Sequence, residues 1–294
     1  MRVFVTGATG YIGSAVCAAV KKHGHDVVGL ARSPEAIAKL KAAGVHPVLG
    51  SLGDHKVLRE MTHDADAVIH CAFEQTAQGA DLEAGALDAM LGSVDSDHEA
   101  FIYTSGVWVY GDTGGKTIDE SAPLNPIALV AWRPAHEKKV QDAQKHKLRT
   151  IVIRPGLVYG GSGGLVGMMI GQAKAHQLAI VGNGKNHWPL VRVDALAELY
   201  ALAIDRAPAD SLYNGASGES VAYGDIARAA SRAAGGSGHV ESISLEQART
   251  MMGPFADALA LDQRVSGAKA ARELGWNAQR PGILEELSAV TAGR

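Results

Sequence analysis

The sequence predicts an α/β protein built on a doubly wound parallel sheet with helices on both faces. Short β-branched runs alternate with helix-like segments through the first half of the chain, as in successive strand-helix-strand units. Each run is almost continuously apolar, which is typical of strands that are covered on both sides. A glycine-rich turn separates the first run from the first helix.

Six strands are expected between Arg2 and Pro155, at the segments RVFVTG, DVVGLA, VHPVLG, DAVIHC, AFIYTS and RTIVIRP. Helices are predicted over residues 13–23, 34–43 and 81–91. Ser33 precedes the second helix as an N-cap, with Pro34 at the first helical position. A seventh strand, SLYNGA, is expected late, near residues 211–215.

A lobe boundary is predicted after Pro155, where the composition shifts toward glycine in GLVYGGSGG. Residues 1–155 would form the sheet domain, to which the strand near 211–215 returns. Residues 156–294 would mainly form a smaller C-terminal lobe, with one helix near residues 166–176 and further alanine-rich helices after Val221.

The composition narrows the class of protein. The chain has 294 residues, of which 47% are hydrophobic, so it can bury a large core. A net charge of -3 without basic runs argues against nucleic acid and anionic membranes as partners. Cys17 and Cys71 lie in apolar runs, which favours a reducing compartment. We expect a cytoplasmic protein, since neither a membrane span nor a signal peptide is indicated.

The segment TGATGYIG places Gly7, Gly10 and Gly13 three residues apart, between the first strand and the first helix. Glycine lets the backbone approach a pyrophosphate, and the N-terminus of the helix attracts its charge. Strand, glycine turn, helix and second strand in this order predict a Rossmann dinucleotide-binding domain. The alternative is a turn needed only for packing. Further contacts with the cofactor are expected at Thr6, Thr9, Tyr11, Ile12, Ser33, Ser51, Leu52, Cys71, Ala72 and Pro155.

Arg32 lies just after the second strand, where NAD-binding domains carry an acidic residue for the ribose 2'-hydroxyl. An arginine at this position can pair with a 2'-phosphate instead. The sequence therefore favours NADP over NAD. A solvated Arg32, or one stacked on the adenine, would leave the preference open.

Several spaced motifs together resemble the extended short-chain dehydrogenase/reductase family, in its NAD-dependent epimerase/dehydratase branch. They are TGATGYIG, DAVIHCAF, FIYTSGVWVYGD, IRPGLVYG, WPLVRVDALAELY and ARELGW, spread over nearly the whole chain. The resemblance implies a Rossmann domain holding NAD(P), a C-terminal substrate lobe and hydride transfer on a small molecule. It also implies a homodimer, paired through residues 81–91 and 134–145, where Leu87, Met90 and Leu91 are equally compatible with the core.

The chain departs from this family at its catalytic residues, which are a serine or threonine and a tyrosine followed four positions later by lysine. Counting from Val109 places the serine position at Gly106, next to Ser105. Counting from Glu137 places the tyrosine position at Leu129 and the lysine position at Arg133. None of the seven tyrosines has lysine four residues further on.

Arg133 can bind ribose hydroxyls with its permanent charge, but it cannot exchange a proton near neutral pH. The first candidate for the missing proton donor is His136, which titrates in the right range and lies one turn from Arg133. Pro134 is expected to kink a helix that begins at residues 125–126. Weaker candidates are Ser105, Tyr159 and His187, while Trp108, Trp132 and Trp188 are interpreted as pocket lining or core.

The prediction is an NADP(H)-dependent oxidoreductase with an atypical active site, acting on a small carbonyl or alcohol. A non-catalytic NADP(H)-binding sensor and an epimerase or dehydratase for a nucleotide sugar stay open as alternatives. Residues 160–164 match the G-x-S-x-G pattern of serine hydrolases, although such matches arise easily in glycine-rich chains. No metal site is predicted, since the twelve histidines form no HExxH motif.

Overall fold

The computed structural model describes residues 1–94, 100–143, 148–161, 163–278 and 281–292. Its strands are, in chain order, β1 (Arg2–Thr6), β2 (Asp26–Ala31), β3 (His46–Leu49), β4 (Ala67–His70), β5 (Ala100–Thr104), β6 (Thr117–Ile118), β7 (Arg149–Pro155), β8 (Leu157–Tyr159), β9 (Ala179–Val181), β10 (His187–Arg192), β11 (Ser211–Gly215), β12 (Ser220–Ala222), β13 (Glu241–Ile243) and β14 (Arg264–Val265). Its α-helices are α1 (Tyr11–Lys22), α2 (Pro34–Ala42), α3 (His55–His63), α4 (Gly79–Leu91), α5 (Arg133–Asp142), α6 (Gly164–Lys174), α7 (Val193–Arg206), α8 (Tyr223–Ala233), α9 (Leu245–Met252), α10 (Phe255–Ala260), α11 (Ala268–Leu274) and α12 (Ile283–Ala292).

Seven parallel strands form the main sheet, in the order β11-β7-β5-β4-β1-β2-β3. The strand order reverses beside β1, and ligands of such sheets bind where the carboxyl ends of the strands meet this reversal. Val3 and Val5 face α1, α2 and α7, while Phe4 between them faces α3, α4 and α5. The predicted doubly wound Rossmann fold is therefore confirmed.

The late strand β11 pairs with β7 at the edge of the main sheet, at the residues predicted for it. Helix α7 also follows Pro155, yet it packs against α1 and shares the core of the main sheet. The other late elements build a second core around the small sheet β12-β10-β8 and the helices α6, α8, α9, α10 and α12. This second core forms the smaller lobe.

Pro134 does not kink a helix. Residues 128–130 form one 3-10 turn, and α5 begins only at Arg133, so that Pro134 lies in its first turn. A proline is tolerated there because the first N–H groups of a helix have no partner within it. The expected helix from residues 125–126 with an internal kink was wrong.

Leu87, Met90 and Leu91 on α4 lie in the core between α4 and the main sheet. They pack inside their own chain, so they add no apolar surface for a partner. The homodimer stays a prediction, to be checked by light scattering at micromolar concentration. Within the described ranges, no helix is both long and apolar enough to cross a bilayer.

Candidate active site

The turn between β1 and α1 has the backbone shape that a dinucleotide needs. Gly7 has a φ of +69°, and a Cβ atom on it would lie 2.7 Å from the backbone nitrogen of Ala72. A Cβ atom on Gly13 would lie 2.1 Å from the carbonyl oxygen of Gly7. Only glycine fits at these two positions, because a side chain would collide with backbone.

The N-terminus of α1 has groups free to bind an anion. Gly10 is its N-cap, no side chain caps the helix, and its first turn contains no acidic residue. The first N–H groups of a helix need a partner, and the helix dipole favours a negative one. The described residues therefore fit a pyrophosphate at this turn, with Thr9, Tyr11 and Ile12 beside it.

A cavity of about 470 Å³ opens beside this turn. Its second wall is the segment after β8, to which Tyr11 donates a hydrogen bond from its hydroxyl to the Gly160 carbonyl oxygen at 2.7 Å. Lys39 of α2 also lines the cavity, and its Nζ donates to the Thr9 carbonyl oxygen at 2.8 Å. Lys39 thus adds a positive charge that sequence reasoning missed, since nothing in its local pattern separates it from other helix lysines.

The predicted adenosine side of the site contains Arg32 and Ser33. The Arg32 side chain is 67% exposed, and its Nη1 lies 2.8 Å from Oε1 of Glu74. The Ser33 hydroxyl accepts a hydrogen bond from the Ala36 backbone N–H and caps α2, as predicted. Arg32 is therefore accessible to a ligand, but it already has a carboxylate partner.

The remaining predicted cofactor residues differ in their accessibility. Ser51 donates from its N–H and its hydroxyl to the Asp54 carboxylate, while the neighbouring Leu52 is buried. Thr6, Ala72 and Pro155 lie at or just beyond the carboxyl ends of their strands. Burial raises the pKa of the Cys71 thiol to about 12, so this side chain is no nucleophile at neutral pH.

Arg133 reaches the carboxyl end of β5 from the first residue of α5. Its Nη1 donates to the Thr104 carbonyl oxygen at 3.0 Å and to the Tyr103 hydroxyl at 3.4 Å. Its guanidinium carbon lies 4.4 Å from the ring centre of Trp132 and 5.3 Å from that of Phe73. These contacts hold a permanent positive charge at the edge formed by the carboxyl ends of the strands, which is where sheets of this kind generally bind ligands.

His136 lies one turn further along α5 and is only 7% exposed. Its Nδ1 lies 3.0 Å from Oε2 of Glu83 on α4. Burial opposes ionisation of Glu83, yet the hydrogen bond from His136 and the nearby His70 ring lower its pKa to about 2. Because this carboxylate can then only accept, His136 donates from Nδ1.

Ser105 belongs to a different buried cluster. Its hydroxyl donates to Oε1 of Glu137, which also accepts from Nε of Arg154 at 2.9 Å. Nη2 of Arg154 donates to the second Glu137 oxygen at 2.5 Å, and Nη1 donates to the Tyr110 hydroxyl at 2.7 Å. The Ser105 hydroxyl is thus engaged in a buried ion-pair cluster with Glu137 and Arg154.

All seven tyrosines lie in the described residues, and each hydroxyl has a partner within the chain. Burial raises the pKa of every one of them, whereas a tyrosine that acts as acid and base needs a lowered pKa. The partners, taken in chain order of the tyrosines, are the backbone of Gly160, the side chains of Glu83 and Asn214, the backbone of Pro281, the side chains of Thr104 and Glu273, and the backbone of Val181.

The weaker candidates are used in other ways. Tyr159 donates to the Pro281 carbonyl oxygen, and Trp188 is buried against Tyr223. Nδ1 of His187 lies 3.2 Å from Asp262 and 2.9 Å from Arg264. Ser162 of the G-x-S-x-G match lies outside the described residues.

Among the described residues, no group of three or more His, Cys, Asp or Glu side chains comes together in a way that could hold a metal ion. Two partly exposed tryptophans, Trp108 and Trp132, contact other aromatic rings. Trp132 stacks on Phe73 with ring centres 5.1 Å apart, and Trp108 meets Phe255 of the smaller lobe edge-on at 6.2 Å. These contacts agree with the interpretation of both tryptophans as lining or packing residues.

The model of the NAD dependent epimerase/dehydratase family matches residues 3–215. The chain therefore belongs to this family, as its motifs predicted, and the expected NAD(P) cofactor follows from this membership.

Related proteins support the assignment over most of the chain. An uncharacterized protein of Schizosaccharomyces pombe is 32% identical over 298 residues, which cover 98% of this chain and 99% of the relative. The decarboxylating sterol-4-alpha-carboxylate 3-dehydrogenase of Dictyostelium discoideum is 27% identical over 239 residues, which cover 75% of this chain and 73% of the relative. The crystal structure of human epimerase family protein SDR39U1 with NADPH shares the fold, with a TM-score of 0.79 at 18% identity over 100% of both chains.

Proposed function

We propose that this protein is an NADP(H)-dependent oxidoreductase that transfers hydride to or from a small carbonyl or alcohol without a catalytic tyrosine. The observation that carries the proposal is Arg133, held by Thr104 and Tyr103 at the carboxyl end of β5. The dehydrogenase among the relatives acts by the same class of reaction.

The preference for NADP is proposed from Arg32, which is exposed at the end of β2. A guanidinium offers a planar fork of donors to a 2'-phosphate, whereas the 2'-hydroxyl of NAD brings no negative charge to the arginine. Lys39 contacts Thr9 in the glycine-rich turn between β1 and α1, and it adds a second positive charge to the proposed cofactor site.

Arg133 is proposed to bind the hydroxyls of the nicotinamide ribose with the N–H groups that Thr104 and Tyr103 do not use. The bound nicotinamide ring would supply or accept the hydride. The stacking of Arg133 on Trp132 and Phe73 limits its rotation, so its charge stays near the reacting groups.

His136 is proposed to handle the proton. In the direction of reduction, Nε2 of a protonated His136 gives its proton to the carbonyl oxygen while hydride reaches the carbonyl carbon, and the alcohol forms. Nδ1 keeps its proton throughout, because the ionised Glu83 accepts it. His136 then regains a proton from solvent.

Two substitutions on α5 distinguish cofactor binding from proton transfer. Arg133→Ala is expected to weaken NADPH binding, while His136→Ala should leave binding intact and lower turnover on the order of 10²-fold. Lys138→Ala is a control, since Lys138 is an exposed residue of α5 that pairs with Asp142. NADPH oxidation would be followed with a panel of small ketones and aldehydes. Unchanged turnover in His136→Ala would remove this residue from the mechanism.

The second candidate is a non-catalytic NADP(H)-binding sensor, which is favoured by the engagement of all seven tyrosine hydroxyls. Tight NADPH binding without turnover on any carbonyl would support it. An epimerase or dehydratase for a nucleotide sugar would instead convert its substrate without net consumption of NADPH.

A further inference from the structure

We propose that Glu83 is a positioning residue, which fixes His136 in its Nδ1–H form and links it through Tyr103 to Arg133. This inference rests on the proposed function, in which Arg133 holds the cofactor and His136 carries the proton. Glu83 itself would touch neither substrate nor cofactor, since its side chain is 1% exposed.

The first support is the free-energy cost of burying the Glu83 carboxylate. An ionised carboxylate that is removed from water loses several kcal/mol of hydration, which only well-placed partners repay. Glu83 has such partners from three elements: Nδ1 of His136 at 3.0 Å, the Tyr103 hydroxyl at 3.1 Å and Nε2 of His70 at 3.6 Å. Packing alone would be served better by an apolar side chain of similar size.

The second support is the direction of the hydrogen bonds. The carboxylate accepts from the Tyr103 hydroxyl, and that hydroxyl in turn accepts from Nη1 of Arg133 at 3.4 Å. Glu83 therefore orients two groups, the Tyr103 hydroxyl on β5 and Nδ1 of His136 on α5. Tyr103 contacts Arg133 directly, and His136 lies three residues after Arg133 on the same helix.

The third support is the link to the phosphate-binding turn. Nδ1 of His70 lies 2.7 Å from the Thr6 hydroxyl, directly before Gly7. Nε2 of His70 is buried and has no hydrogen-bond partner in the described part of the chain, although it faces Glu83 at 3.6 Å. The titratable groups around Glu83 thus lie on β4, β5 and α5, and the Thr6 hydroxyl extends this set of contacts to β1.

The spectroscopic test uses ¹⁵N-labelled histidine and the whole chain. At a pH where His136 is neutral, the wild type is expected to give the shifts of a single Nδ1–H form. In Glu83→Gln the side-chain amide can donate as well as accept a hydrogen bond. The His136 signal should therefore move toward a mixture of the Nδ1–H and Nε2–H forms. A wild-type signal from the Nε2–H form would overturn the proposal, even if the variant failed to fold.

The kinetic test distinguishes the effect of Glu83 on His136 from its effect, through Tyr103, on Arg133. Glu83→Gln is expected to lower kcat about tenfold or more and to change the Kd for NADPH less than threefold. Tyr103→Phe should instead raise that Kd about three- to tenfold while keeping the His136 signal of the wild type. The matched control is Asp88→Asn on the same helix, which removes an exposed carboxylate that pairs with Lys139. If Glu83→Gln leaves both kcat and the His136 signal unchanged, Glu83 is only structural.

The two proposals fail in different ways. Absence of turnover in the wild type, together with the expected Nδ1–H signal, would contradict the proposed function and leave the positioning of His136 intact. Normal turnover with the Nε2–H form would contradict the role of Glu83 and leave the oxidoreductase proposal standing.

Discussion

Arg32 should determine the preference for NADP over NAD. Its contacts in the structure allow the difference in binding free energy between NADPH and NADH to be estimated. A charge-assisted hydrogen bond contributes about 1.5 to 3 kcal/mol. Binding of a 2'-phosphate must compete with the exposed Arg32–Glu74 pair at 2.8 Å, and exposed pairs contribute about 0 to 1 kcal/mol. The difference, about 0.5 to 3 kcal/mol, corresponds to a roughly 2- to 150-fold tighter Kd for NADPH than for NADH.

Arg32→Ala should remove this preference by weakening NADPH binding while leaving NADH binding unchanged. Glu74→Gln should act in the opposite direction and tighten NADPH binding by up to roughly fivefold, because the competing carboxylate is gone. Titration calorimetry at fixed ionic strength measures the Kd of NADPH and of NADH for the wild type and for both variants. Arg228→Ala is a control, since it breaks a similar exposed pair with Asp225. An unchanged ratio of NADPH to NADH affinity in Arg32→Ala would refute the reasoning.

Further predictions concern the charged residues Arg133, Arg154 and Glu83. Arg133→Lys should keep part of the NADPH affinity that Arg133→Ala loses, since lysine retains the charge but not the fork of donors; equal losses by calorimetry would contradict this. Arg154→Met should lower the free energy of unfolding by about 3 to 5 kcal/mol in urea, because it leaves the buried Glu137 carboxylate unpaired. The pKa of Glu83 is lowered to about 2 in the folded state, so ionised Glu83 stabilises the fold above its unfolded pKa of about 4.3. The stability advantage of wild type over Glu83→Gln should therefore shrink between about pH 4 and 2, and a constant difference would argue against the lowered pKa.

The sequence was sufficient for the main sheet because its signals are local. The apolar run before Gly7 forms β1, and Ser33 with Pro34 begins α2 as predicted. The late strand β11 also lies at the predicted residues, although SLYNG lacks the β-branched residues of β1 and β2. The signals for β1 and for the start of α2 lie in adjacent residues of the chain.

The site was less predictable because its chemistry depends on packing between distant elements. Glu83 has the local pattern of an ordinary helix acid, and only the approach of β4, β5 and α5 buries it. Pro134 is compatible with a kink or a helix start, and the 3-10 turn at residues 128–130 decides between them. The absence of a tyrosine–lysine pair was visible in the sequence, but the partners of each tyrosine hydroxyl were not.

The most direct test of the central claim follows the hydride itself. NADPH deuterated at C4 of its nicotinamide would be incubated with the purified protein and a panel of small ketones and aldehydes, and the alcohols analysed by mass spectrometry. We expect one deuterium on the carbinol carbon with the wild type, and far less label with His136→Ala at the same cofactor occupancy. Tight NADPH binding without label in any alcohol would contradict the account and favour a cofactor-binding sensor.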